Sequence, residues 1–191
     1  MAMKLLLINL FLVSCFVISC NQPTNEEQTK GAAEDLNEET LSGNAKKDAD
    51  FIVEAYTHSL MLREYGHVAM EKEGIPAAIT EFAKTSVEFN ENINKQLTQM
   101  TVNTKIVLPT SIGENVLRFK EKLQETRGKD FAEKYMNVVG EIQSKMISDY
   151  QKAFNRTENA QLSEWLQVAI PQINEREEYA DQLSAYADDI E

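Results

Sequence analysis

The sequence predicts an all-α protein whose folded part is a four-helix bundle, and three observations predict it. From Asp48 onward the apolar residues return every three or four positions, the spacing of one helix face, and nowhere alternate strictly with polar residues as a half-buried strand requires. Gly74, Pro76, Pro109 and Gly128 interrupt the pattern where one helix must end and another begin. Each apolar face is narrow, so no single helix is stable in water, and burying four such faces against one another is the economical solution.

The elements follow in chain order. Ile52, Ala55, Ser59, Leu62, Gly66 and Ala69 form one stripe along a first long helix that Gly74 stops. Pro76 opens a second, where its fixed φ suits a helix start, and Ile79, Phe82, Ser86, Phe89, Ile93, Leu97 and Met100 form its stripe. Val102 to Thr110 is a connector whose Ile106-Val107-Leu108-Pro109 is extended and packs across the bundle. Ser111 and Glu114 have the spacing of a capping box and start a short helix with Val116, Phe119 and Leu123 inward, ending near Gly128. Asp130 and Glu133 repeat the capping pattern ahead of a third long helix with Phe131, Tyr135, Val138, Ile142, Met146, Tyr150 and Phe154. The fourth starts near Glu158, and its stripe is Leu162, Trp165, Ala169, Ile173, Arg176, Ala180, Leu183, Ala187 and Ile190. Pro171 deletes a backbone hydrogen bond inside it and predicts a kink.

The segment before Asp48 reads differently. Residues 1–19 carry one charge, Lys4, then an apolar run from Leu5 to Ile18, which is a signal-peptide layout. The run is shorter than the roughly 20 residues a spanning helix needs. It ends at Val17-Ile18-Ser19-Cys20, similar to a bacterial lipobox, in which the Cys thiol takes a diacylglyceryl group and becomes the new acylated amino terminus. Leu12-Val13-Ser14-Cys15 fits the same pattern, but cleavage there leaves Phe16 to Ile18 as an apolar stub, so Cys20 is the expected lipidation site. An uncleaved signal anchor is the other reading. With Cys20 carrying lipid and Cys15 removed, no cysteine remains for a disulfide or a nucleophile. Residues 20–47 then read as a lipidated Cys followed by an acidic tether, disordered because Leu36 and Leu41 are its only large apolar residues. Asn21, in place of the Asp associated with inner-membrane retention, favours the outer membrane of a Gram-negative envelope.

Charge and composition exclude some functions. Nineteen Lys and Arg against 31 Asp and Glu give a net charge of −12, which repels a phosphate backbone, so no nucleic-acid partner is expected. No Gly-x-Ser-x-Gly and no glycine-rich phosphate loop occurs. A di-metal helical site takes a Glu-x-x-His from each of two helices. Only one copy exists, Glu64-Tyr65-Gly66-His67, because the chain has two histidines in all. His58 and His67 are nine residues apart, two and a half helical turns, and face opposite sides. Arg63 and Glu71 flank His67 and indicate a solvated face, while Glu54 and His58, one turn apart, indicate a surface hydrogen bond. The run Glu175, Glu177, Glu178 and Asp181 could take a hard cation or sit in water. Arg176 falls on the apolar stripe of the last helix. Either its stem packs on the seam with the head reaching water, or it forms a structural ion pair with Glu54 or Glu64.

Several of these residues in order resemble a known family. Asp50-Phe51 and Gly66-x-x-Ala69 in the first helix, Phe82-Ala83 in the second, Leu108-Pro109 in the connector, Phe131 with Tyr135-Met136, and Ile170-Pro171 are similar to the ferritin-like domain-of-unknown-function family 4142 of bacterial envelopes. The resemblance spans Asp50 to Leu183. It implies a ferritin-like up-down four-helix bundle with a short extra helix between the second and third long helices. It also implies a place for metal ligands, a Glu, two Asp-His pairs and a His. Here those places read Leu62, Phe89 with Asn90, Ile142 with Gln143, and Arg176, so the expected ligands are replaced and apolar side chains fill their volume.

The expectation is therefore a signal peptide (1–19), a lipidated Cys20 and tether (20–47), and a helical domain (48–191) anchored to the envelope by palmitate. The domain acts as a non-catalytic structural or interaction module without a cofactor, its partner an envelope protein or ligand that the sequence does not name. The alternative is a metal-binding ferritin-like domain, an oxidoreductase or metal store, using Glu64 and His67.

Overall fold

The computed structural model describes residues 30–188, so the expected signal peptide, the expected lipidation site Cys20, the start of the segment read as a tether and Ile190 lie outside the described residues. Among the described residues the chain is all-α and contains no strand. The helices are α1 (Ala32–Thr40), α2 (Gly43–Met70), α3 (Ala77–Thr101), α4 (Glu114–Glu125), α5 (Gly128–Arg156) and α6 (Ala160–Asp188). The predicted stripes face inward: Ile52, Ala55, Ser59, Leu62, Gly66 and Ala69 of α2 are buried, as are Ile79, Phe82, Ser86, Ile93, Leu97 and Met100 of α3. Phe154 is an exception. It is exposed, and Ala153 takes the inward position at the end of α5. Gly74, with φ +74, supplies the left-handed residue in the short turn that joins α2 to α3.

Cross-helix pairs set the directions. Asp48 meets Thr157 at 2.9 Å and Phe51 meets Tyr150 with ring centroids 5.0 Å apart, so α5 runs antiparallel to α2. Gln96 meets Trp165 at 2.7 Å and Phe82 meets Tyr179 at 5.7 Å, so α6 runs antiparallel to α3. Because α3 folds back on α2 through a tight turn, α3 and α5 point the same way. The long helices therefore do not alternate in the expected up-down order, and the connection between α3 and α5 travels the length of the molecule. Residues 106–109 carry no regular structure, Ile106 and Leu108 pack on the core, and Pro109 is buried. α4 then lies beside the upper part of α2, with Phe119 against Tyr65 at 5.1 Å.

Two further expectations are corrected. The segment read as a disordered tether is folded from residue 30 onward: α1 buries Ala33 and Asn37. Asn37 donates to the Val107 carbonyl at 3.0 Å and accepts from the Val107 amide at 2.7 Å, while Leu36 stays exposed. Docking thus depends on a small residue and a backbone-mimicking amide, which a count of large apolar residues misses. Neither capping box forms: α4 starts at Glu114 with Gly113 at the N-cap, and α5 starts at Gly128 with Arg127 there, neither cap making a side-chain bond. Glu114 and Glu133 instead pair with Arg118 at 3.4 Å and Lys129 at 3.9 Å. α6 continues as one helix on both sides of Pro171, which is exposed.

The core has two aromatic ends. Phe51, Tyr150 and Trp165 contact one another at 5.0 to 6.5 Å. At the other end Phe131 stacks on Tyr135 at 5.9 Å, both fully buried. No helix among the described residues is long and apolar enough to cross a membrane.

Candidate functional site

The strongest cluster of ligand-type side chains lies where α2 meets α5. One turn of α2 places Glu54 and His58 together, with His58 Nε2 3.2 Å from a Glu54 oxygen. One turn of α5 places Lys145 and Asp149 together at 2.9 Å, and the Lys145 ammonium also reaches Glu54. Lys30, at the foot of α1, completes the set with a second ion pair to Glu54. Ligand atoms of Glu54, His58 and Asp149 all lie within 4.8 Å of one another. The sequence anticipated the Glu54–His58 pair but placed it on the surface, whereas the His58 side chain is only 8% exposed. Asp149, Lys145 and Lys30 were missed because nothing local in a chain announces a partner on another element, which for Lys145 lies 91 positions away.

The electrostatics are those of a neutralised carboxylate. The hydrogen bond from His58 holds the Glu54 carboxyl well below its ordinary value; burial opposes this, and the bonds from Lys145 and Lys30 add to it. Burial alone would lower the Lys145 ammonium, but its bonds to Glu54 and Asp149 outweigh that and raise it. The three ligand atoms have the spacing a divalent cation needs, yet two ammonium groups already stand against Glu54. The arrangement ties α1, α2 and α5 together.

Glu64 and His67 are not brought into a ligand set. Glu64 is held by Lys120 of α4 at 2.7 Å and Arg63 at 3.0 Å, and His67 is exposed, on the opposite side of α2 from His58. Of the acidic run, Glu175, Glu178 and Asp181 are exposed, while Glu177 accepts a 2.6 Å hydrogen bond from Ser144. Arg176 forms an ion pair with neither Glu54 nor Glu64. Its Nη2 donates to the Thr85 carbonyl at 2.9 Å and its guanidinium lies 4.3 Å from the Phe89 ring centroid, so it bridges α3 and α6 at the rim of a groove of about 480 Å3.

The positions where the resemblance implies ligands are apolar in part. Leu62 and Ile142 are buried and Phe89 is half-buried. The interior beside them is less oily than the sequence implied: Ser59, Ser86, Asn90, Asn94 and Gln143 are also buried. Asn90 donates to the Ser86 carbonyl at 2.8 Å, while Ser59 Oγ, Gln143 Oε1 and the Tyr135 and Tyr150 hydroxyls have no protein partner among the described residues. Burial pushes both tyrosine hydroxyls up, so they stay neutral. Sequence patterning treated Ser59 and Ser86 as small stripe residues, and the polarity of the layer emerges only when α2, α3 and α5 come together.

Comparison with curated proteins and with solved structures returned no match. A family model described as "Domain of unknown function (DUF4142)" matches residues 31–183, from the start of α1 into the last turns of α6. That span agrees with α1 being part of the fold, and with the order of Gly66-x-x-Ala69, Leu108-Pro109 and Ile170-Pro171 along it. The chain belongs to the DUF4142 family.

Proposed function

We propose that this protein is a lipid-anchored component of a Gram-negative envelope, held by acylated Cys20 at the outer membrane, whose ferritin-like four-helix domain is a non-catalytic structural or interaction module. The observation that carries the reading is the occupancy of the ligand positions: Leu62, Phe89, Ile142 and the cationic Arg176 stand where the family resemblance implies metal-binding groups. Half-buried Arg176 repels a metal ion, Leu62, Phe89 and Ile142 offer only hydrocarbon, and the Asn90 and Gln143 beside them are neutral amides in place of the implied Asp-His pairs. The ferritin-like assignment draws its support from one long crossover between α3 and α5, the connection that distinguishes such folds from simple alternating bundles. The acidic balance of the chain supports the absence of a nucleic-acid partner.

Two experiments test this. Labelled palmitate is expected to follow the wild-type chain into membranes and to be lost from Cys20→Ala; label that persists moves the anchor to Cys15 or removes it. Elemental analysis of the purified full chain is expected to find less than one tenth of an equivalent of iron, manganese or zinc, with about one equivalent per chain overturning the non-metal reading.

A second reading is a metal-binding domain, as an oxidoreductase or a store, and one observation relocates it. The spacing of Glu54, His58 and Asp149 favours that trio over Glu64 and His67, because His67 is exposed and joins no such ligand set among the described residues. If metal is found, its loss in His58→Gln and retention in His67→Gln would place it there.

A further inference from the structure

The groove between α3 and α6 has the chemistry of a ligand site. Its volume, about 480 Å3, falls within the range of roughly 300 to 1,000 Å3 typical of small-molecule sites. Phe89 and Tyr179 give it aromatic surface, Asn92 and Gln172 give it two amides, and Glu175 and Arg176 give it one acid and one base. Two of these groups are fixed before any ligand arrives. Arg176 is clamped between the Thr85 carbonyl and the Phe89 ring, which uses one nitrogen and leaves its other guanidinium donors without a protein acceptor among the described residues. Tyr179 packs on Phe82 at 66° between ring planes, and it remains 44% exposed.

Charge selects among ligands. A cation meets the fixed guanidinium, and an anion meets Glu175, the nearby Glu88 and a chain with net charge −12. The lining itself balances to zero. Planar side chains that each donate or accept two parallel hydrogen bonds suit vicinal hydroxyls or an acetamido group, and an exposed aromatic face suits the C–H face of a sugar ring, one side apolar and the other wet. From this lining we infer that the α3–α6 groove binds a neutral sugar of one or two pyranose rings, stacked on Tyr179 and hydrogen-bonded by Gln172, Glu175 and Arg176. This gives a ligand class to the interaction-module reading, and it depends on neither the lipid anchor nor the metal content, so sugar binding and Cys20 labelling can fail separately.

The test uses the full chain in a sugar-free detergent, with N,N′-diacetylchitobiose and cellobiose as probes and citrate as the anionic comparison. Saturation-transfer NMR is expected to show transfer to ring protons of at least one disaccharide and none to citrate. Gln172→Ala, an exposed position, is expected to weaken binding at least fivefold without moving the melting temperature, and Tyr179→Ala more than that. Retention of the wild-type chain on insoluble chitin or cellulose, lost in Gln172→Ala, would assign the sugar to a polymer; binding of the soluble disaccharide alone would assign it to a free sugar. The inference is overturned by absence of transfer to both disaccharides, by equal transfer in wild type and Gln172→Ala, or by transfer to citrate alone.

Discussion

Glu54 shows how much a single side chain can depend on its surroundings. Its folded value lies below the ordinary 4.5, so the stability it contributes is fully present above pH 4.5 and drains away as pH falls below that. Glu54→Gln is expected to cost about 1–3 kcal/mol at neutral pH, the scale of a hydrogen-bonded charge that is mostly buried. The gap between wild type and variant, read from urea midpoints, should shrink below pH 4.5; a gap that stays constant to pH 3 would show that Glu54 is not held low. Gly66 makes a steric case. A Cβ there would stand 2.6 Å from a Val87 methyl and 3.3 Å from the Ala83 carbonyl, both on α3. Gly66→Ala is expected to destabilise by about 1–3 kcal/mol by overpacking. Equal or raised thermal stability in that variant would mean that Val87 simply turns aside. The sequence singled out Gly66 as a stripe residue, but only the facing helix explains why nothing larger fits.

Among the elements, α4 is short, twelve residues, and lies against α2. Its C-terminal carbonyls are capped from elsewhere: Lys72, in the turn after α2, donates to the carbonyls of Leu123 at 3.2 Å and Gln124 at 2.7 Å and sits 4.9 Å over the Phe131 ring. A cation at a helix C-terminus is favourable both as a hydrogen-bond donor and against the helix dipole. Lys72→Met is expected to cost about 1 kcal/mol, and amide exchange should accelerate in α4 before it does in α3 or α6. Uniform acceleration across the molecule would instead assign Lys72 to the general packing. The apolar spacing of Val116, Phe119 and Leu123 made this helix legible in the sequence, whereas its start and its cap were not. The expected Ser111–Glu114 box lost to a later start at Glu114, and the C-terminal cap comes from a lysine about 50 positions away.

At the scale of the whole molecule, α1 decides where the domain begins. A chain starting at Asp48 loses the two Asn37–Val107 hydrogen bonds and the Lys30–Glu54 ion pair, while a chain starting at Lys30 keeps them. The shorter chain is expected to be less stable by roughly 2 kcal/mol or more, since each backbone-directed bond contributes about 1 kcal/mol and an unpaired Val107 amide adds a penalty. Equal urea midpoints for the two would return α1 to the role of a tether. The same scale explains the crossover. Once α3 folds back on α2 and α5 also packs antiparallel to α2, residues 102–127 have to run the length of the molecule. Glu64–Lys120 at 2.7 Å and Asn37–Val107 pin that passage at two heights.

The sequence by itself determined the helical class, the inward face of each long helix and the turn at Gly74, because helix periodicity and left-handed turn chemistry are local properties of a few neighbouring residues. Tertiary structure alone decided which charges meet. Glu54 takes Lys30 and Lys145, Glu64 takes Lys120, and Arg176 takes a carbonyl and an aromatic ring in place of either acid. The reason is that an ion pair across helices depends on the rotation and register of two elements, to within a few ångströms, and apolar periodicity constrains only which side of each helix faces in.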